Sequence, residues 1–163
     1  LILIREFVEG ENFVGTVKDV LSKGESFHRT DELRKLGGLV ARVHGLGVTI
    51  GDCKPENFIA SLSGVIYLID LEQGAHKGNS VWDFAELLYY SGHYASVSTD
   101  LEHVSNLTRA IIRGYLEEGG DPKNVEEVGG IQYTKIFSLF TLPQVIYVIS
   151  KTCREEVKSQ RRK

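Results

Sequence analysis

The run Gly51-Asp52-Cys53-Lys54-Pro55-Glu56-Asn57, with Asp70 thirteen residues beyond Asn57 at the end of an apolar stretch, decides how the rest of the chain is read. It supplies an Asp, a Lys, an Asn and a second Asp at intervals suited to moving a phosphoryl group. Such a transfer leaves a protein little covalent chemistry, so positioning and charge neutralisation dominate. One carboxylate has to accept the proton of the attacking hydroxyl. A carboxamide and another carboxylate have to hold magnesium against the phosphates of a nucleotide. On this reading Asp52 is the base, Lys54 is a cation beside the transferred phosphate, and Asn57 and Asp70 are the metal ligands.

Asp52 to Asn57 resembles the D-L-K-P-E-N catalytic loop of Ser/Thr kinases in the protein-kinase superfamily, with Cys53 in place of Leu. Ile69-Asp70-Leu71-Glu72 sits where that superfamily carries its metal-binding D-F-G. A polar turn followed by a strand-end Asp is the plainer account, and it leaves the joint spacing unexplained. The resemblance implies ATP and magnesium as cofactors and Ser/Thr hydroxyls of a protein as acceptors. Departures matter too. Ile50 stands where the family usually has His, and Gly51 where it has Arg, which is similar to the G-D loop of atypical and small-molecule kinases. Glu72 replaces the Gly of D-F-G. From Asp70 to a helix start near Ser80 is about ten residues, an ordinary loop length, and no A-P-E follows. The resemblance therefore implies an enzyme that is not switched by phosphorylation of an activation loop.

Composition sets outer bounds. At 163 residues the chain suits one packed domain. Its 42% hydrophobic and 25% charged content is that of an ordinary globular protein. A net charge of −3 gives no general nucleic-acid or membrane signal, and no apolar run approaches the roughly 20 residues that span a bilayer. Cys53 and Cys153 lie far apart, which predicts no disulfide framework and a reducing, cytoplasmic setting. The chain contains no Met and opens directly on Leu-Ile-Leu-Ile, which predicts a fragment.

Leu1 to Ile4 reads as a buried strand, and Glu6-Phe7-Val8-Glu9-Gly10 resembles the kinase hinge. There the carbonyl near Glu6 and the N–H near Val8 would pair with adenine, and Ile59 would lie under its ring, although a plain core position fits Ile59 equally well. Val14 to Leu21 predicts a short helix. Thr30 or Asp31 caps a longer one with Leu33, Leu36, Val40 and Val43 at helical spacing, stopped by Gly45 and Gly47. Phe58 to Ala60 and Val65 to Ile69 predict a hairpin. Ser80-Val81-Trp82-Asp83 starts a buried helix with Phe84, Leu87 and Leu88. Asp83 matches the family's helix Asp that braces the catalytic loop; a helix-dipole partner is the simpler role. Thr99-Asp100-Leu101-Glu102 caps another helix, and Pro143 divides the apolar stretch from Ile131 to Ile149 into two.

The tail from Lys151 to Lys163 holds six Lys or Arg against two Glu, and a solvated helix terminus accounts for it. The alternative is a contact with RNA or an acidic partner. The kinase subunit of the KEOPS tRNA-modification complex also ends in a basic tail, so the resemblance implies such a complex as a possible partner. The five His show no metal-ligand spacing. Cys53 reads as a small semi-buried filler.

Together these readings predict a mainly α chain with short β hairpins (α+β). Residues 1–163 form a kinase-like C-terminal lobe, with 1–10 as hinge, 151–163 as basic tail and the N-terminal lobe absent. The Gly-rich phosphate loop and the V-A-I-K-type Lys belong to that missing lobe, so the chain alone is expected to be nearly inactive. Within the superfamily the loop is similar to the KEOPS-kinase, RIO and lipopolysaccharide-kinase groups. Two alternatives stay open: a small-molecule phosphotransferase of the aminoglycoside or choline type, and a pseudokinase scaffold. Lys54-Pro55-Glu56 favours a protein kinase over the first, and retention of Asp52, Asn57 and Asp70 argues against the second.

Overall fold

The computed structural model describes residues 7–24 and 26–162. The expected strand at Leu1–Ile4 and the hinge residue Glu6 lie outside them. Strand β1 (Gly10–Asn12) runs into helix α1 (Phe13–Lys23), where the Asn12 side chain accepts the Val14 N–H at 2.9 Å and so caps the first turn. Phe13, Val17, Val20 and Leu21 fall on its buried face. Helix α2 (Phe27–Gly45) is capped by Ser26, not by Thr30 or Asp31 as the sequence suggested. Gly24, at φ 83°, ends α1, and Ser26 is positioned to offer its hydroxyl to the Arg29 N–H at 3.3 Å. Thr30 and Asp31 are thereby drawn inside the first turns.

Leu33, Leu36 and Val40 of α2 are buried as their spacing predicts. The helix lies against α4 (Leu101–Glu117) backbone to backbone. A Cβ on Gly37 would stand 2.0 Å from the Ile111 carbonyl oxygen, and one on Gly114 would stand 1.9 Å from that of Arg34. Only glycine admits this approach.

The expected hairpin is present as β3 (Phe58–Ser61) and β4 (Ile66–Leu68), antiparallel with Phe58 opposite Leu68. β1 adds to the other edge of β3, pairing Asn12 with Ile59, so the sheet has three strands in the order β1-β3-β4. A second small pairing joins β2 (Val48–Thr49) to β5 (Ala75–His76). It straps the segment after Asp70 back to the chain that leads into Asp52, with the Thr49 hydroxyl donating to the Ala75 carbonyl at 3.1 Å.

Helix α3 (Ser80–His93) is capped by Asn79, one residue earlier than the sequence suggested, through its side-chain oxygen and the Trp82 N–H. Asp100 caps α4, and Asp121 caps the short α5 (Pro122–Val128) with Pro122 at the first helical position. α6 (Ile131–Phe137) and α7 (Pro143–Gln160) are divided at Pro143, which opens α7. Phe84 stacks on Tyr115 at 4.1 Å and Tyr89 on Phe137 at 4.7 Å inside one buried cluster that spans α1 to α7. The tail continues α7. Glu156 turns inward to Arg109 and Arg113 of α4, and Arg161 pairs with Glu126 of α5 at 2.7 Å. No helix among the described residues is long and apolar enough to cross a membrane.

Candidate active site

One face of α3 carries the loop that holds Asp52. Asp83, Glu86, Tyr90 and Tyr94 recur at helical spacing on it, and each meets the next part of the loop in turn. The Asp83 carboxylate accepts the N–H groups of Ile50 at 2.6 Å and Gly51 at 2.9 Å. It also meets His44 Nε2 at 3.1 Å. Glu86 accepts the Cys53 N–H at 3.0 Å. The Lys54 ammonium lies over the Tyr90 ring, 5.0 Å from its centre. The Tyr94 hydroxyl donates to the Glu56 carboxylate. Buried backbone N–H groups need acceptors, and here two carboxylates from a rigid helix supply them.

Gly51 explains itself in this frame. Its φ is 83°, in the left-handed region, and a Cβ there would stand 2.3 Å from the Gln73 carbonyl oxygen. The loop and the segment after Asp70 touch backbone to backbone at this point, which an Arg could not permit.

Within the loop, Lys54 Nζ lies 2.5 Å from one Asp52 carboxylate oxygen. The hydrogen bond to Asp52 holds the Lys54 ammonium above its usual pKa range, against a smaller opposing effect of burial. The 3-10 turn Pro55–Asn57 swings the Asn57 carboxamide back, so that its nitrogen donates to the Asp52 carbonyl at 2.8 Å and carboxylate at 3.1 Å. Asn12 anchors the same turn from β1, donating to the Glu56 carbonyl at 2.6 Å. The Asn57 carbonyl accepts the Ile69 N–H at 2.9 Å, which sets Asp70 immediately beyond Asn57's own strand pairing. Asp70 is exposed, takes φ 57°, and has no hydrogen bond or ion pair with any described residue. Asp tolerates that backbone region better than most residues.

The structure thus gathers Asp52, Lys54 and Asn57 directly and brings Asp70 in through the β3–β4 pairing. Ile59 is half-buried on β3, with Asn12 on one side and Tyr67 on the other. Val8 lies just before β1 and is half-buried, while its proposed hinge companion Glu6 is outside the described residues. Asn57 and Asp70 offer oxygen donors of the hard kind that magnesium takes. Among the described residues no set of three or more His, Cys, Asp or Glu forms a metal cage. A magnesium ion held here would draw its remaining ligands from phosphate and water, as that ion usually does.

No family model matches the chain. It is 32% identical over 130 residues to the probable serine/threonine-protein kinase BUD32 homolog of Archaeoglobus fulgidus. That match takes in 80% of this chain, including the loop and strand whose geometry is given above. That likeness supports a place in the protein-kinase-like superfamily. It spans 59% of the length of that relative.

Within this site, three contributors escape a reading of the sequence. Glu86 looks like any polar residue on a helix, yet it is 5% exposed and burial raises its carboxyl to about 6. His44 joins Asp83 to the Tyr115 hydroxyl, which meets His44 Nδ1 at 3.0 Å. Tyr90 supplies the platform for Lys54. The signal for Glu86 and Tyr90 is their spacing of three and seven residues from Asp83, which puts all three on one helix face; His44 had none.

Proposed function

We propose that the protein catalyses magnesium- and ATP-dependent phosphoryl transfer to Ser or Thr hydroxyls of a protein, and that residues 1–163 form the catalytic lobe of a compact, atypical kinase. The observation that carries this is the sharing of the Asp52 carboxylate between Lys54 at 2.5 Å and Asn57 at 3.1 Å. When bound, magnesium-ATP supplies the phosphoryl group and a metal that neutralises its charge. Asp52 takes the proton of the acceptor hydroxyl. Lys54, released from Asp52 toward the phosphoryl oxygens, offsets charge that builds at the transition state. Asn57 would hold the metal through its carboxamide oxygen, because its nitrogen is already committed to Asp52. Asp70 would be the second metal ligand, and Asp83 keeps the loop in shape. Adenine would lie against Glu6, Val8 and Ile59.

The relative is named as a probable serine/threonine-protein kinase, which supports a protein acceptor. Lys54-Pro55-Glu56 supports it independently, because that run resembles protein kinases and not the small-molecule kinases, and Tyr90 and Tyr94 hold its two charged residues in place. A cytoplasmic setting and a tRNA-modification complex as partner, contacted through the basic end of α7, complete the proposal. The test is transfer of labelled phosphate from ATP by the intact protein to a panel of Ser/Thr proteins, sugars and amino alcohols. Phosphoserine or phosphothreonine in the proteins is the expected product. Phosphorylation of a small alcohol with none of protein would assign the site to a small-molecule phosphotransferase instead.

A further inference from the structure

Asp52 has two flanks, and α3 holds both. On one side Asp83 binds the N–H groups of Ile50 and Gly51. On the other, Glu86 binds the N–H of Cys53, the residue immediately after Asp52, in a buried contact of 3.0 Å. The two carboxylates stand three residues apart and project from one helix face. Cys53 is itself fully buried, so its N–H has no water to fall back on. If Glu86 served only to fill space, an apolar side chain would do so without the cost of burying a carboxylate.

The surroundings of Glu86 are charged. Asp52 repels it from the loop, while Lys54, also from the loop, attracts it. The Trp82 side chain, one turn back on α3, favours its charged form. The Cys53 thiol, pushed far up by burial, faces it as a neutral group. Asp83 lies on the same helix face and shares the same loop.

We infer that Glu86 is a positioning residue for the transfer reaction, fixing the backbone on the C-terminal side of Asp52 and through it the aim of the Asp52 carboxylate. This rests on the function proposed above and adds a second anchor to it. An ionised carboxylate accepts an N–H more strongly than a neutral acid does. The loop is therefore held tightest above the range near 6 to which burial raises this carboxyl, and it loosens as the pH falls through that range.

Glu86→Ala and Glu86→Gln in the intact protein test the inference, read by steady-state kinetics and by hydrogen exchange at the Cys53 amide. Glu86→Ala is expected to lower kcat by roughly 10- to 100-fold, the scale of a displaced catalytic group, with the KM for ATP little changed. Its Cys53 amide should exchange at least about tenfold faster. Glu86→Gln keeps an acceptor but no charge, so it should recover most of that loss and should lack the fall in kcat as pH drops through about 6. Parent-level kcat with an equally protected Cys53 amide in Glu86→Ala would overturn the inference. So would an acid limb in Glu86→Gln identical to the parent's, a result available even if Glu86→Ala fails to fold. A parent that transfers no phosphate would remove the proposed function, and the exchange of the Cys53 amide would still decide whether Glu86 anchors the loop.

Discussion

The Asn57 carboxamide donates twice to Asp52, to its carbonyl at 2.8 Å and to its carboxylate at 3.1 Å. Both ends of the Asp52–Asn57 run are thus tied together across the 3-10 turn, and each bond has a consequence. The first closes the turn. The second limits where the Asp52 carboxylate can point and, by using the amide nitrogen, turns the amide oxygen to the open side. The residues proposed as base and metal ligand are oriented by the same pair of bonds.

Loss of Asp70 should therefore be felt more than loss of Asn57. Asp70→Ala removes an anionic ligand and should weaken magnesium-dependent nucleotide binding by more than the ~10- to 100-fold typical of losing an outer-shell partner. Asn57→Ala removes a neutral ligand and should cost less. Titration calorimetry with and without magnesium separates the two. Equal affinity in the Asp70 variant and the parent would refute the metal assignment.

Gly51→Ala should destabilise the fold by about 3 kcal/mol. Left-handed backbone costs a residue with a Cβ roughly 1–2 kcal/mol, and the Gln73 carbonyl, 2.3 Å from the new atom, has to move. A lowered urea midpoint at unchanged slope is the expected signature. An unchanged midpoint would mean that the loop and the post-Asp70 segment do not touch as described.

The chemistry-bearing loop was legible because its residue types and intervals are local. Asp52, Lys54 and Asn57 lie within six consecutive residues, and a hairpin of the length expected from Phe58 to Ile69 carries Asp70 back to them. Asp83 was legible through its place at a helix start. Other features were set by tertiary position and left no periodic trace. β1, β2 and β5 are two or three residues long, too short for alternation to register. α5 escaped notice although Asp121-Pro122 is a good start signal, because the helix is only seven residues long. Ser26, Thr30 and Asp31 are all competent caps, and the choice among them was made by where α1 ends at Gly24. Glu86, His44 and Tyr90 acquire their roles only when α3 and α2 are laid under the loop.

Burial of Glu86 carries a pH signature in stability as well as in rate. Its carboxyl is raised from 4.5 to about 6 in the folded chain, so the folded state binds the proton more tightly than the unfolded state. Stability from this group is then fully present below 4.5 and is lost as pH rises through about 6. At 1.36 kcal/mol per pH unit the loss amounts to about 2 kcal/mol. Relative to the parent, Glu86→Gln should gain about that much unfolding free energy between pH 4.5 and 7, measured by denaturant titration at each pH. A parent-to-variant difference that does not change with pH would contradict it.

The central claim is that Asp52 is the base of a phosphoryl transfer. The most direct measurement is the single-turnover rate of the intact protein and of its Asp52→Asn variant, with magnesium-ATP saturating and a Ser/Thr protein as acceptor. The structure leads us to expect a rate lower by roughly 10²- to 10⁴-fold in the variant, the range for a lost general base, with ATP affinity nearly unchanged. An undiminished rate in Asp52→Asn would take Asp52 out of the mechanism and the account with it.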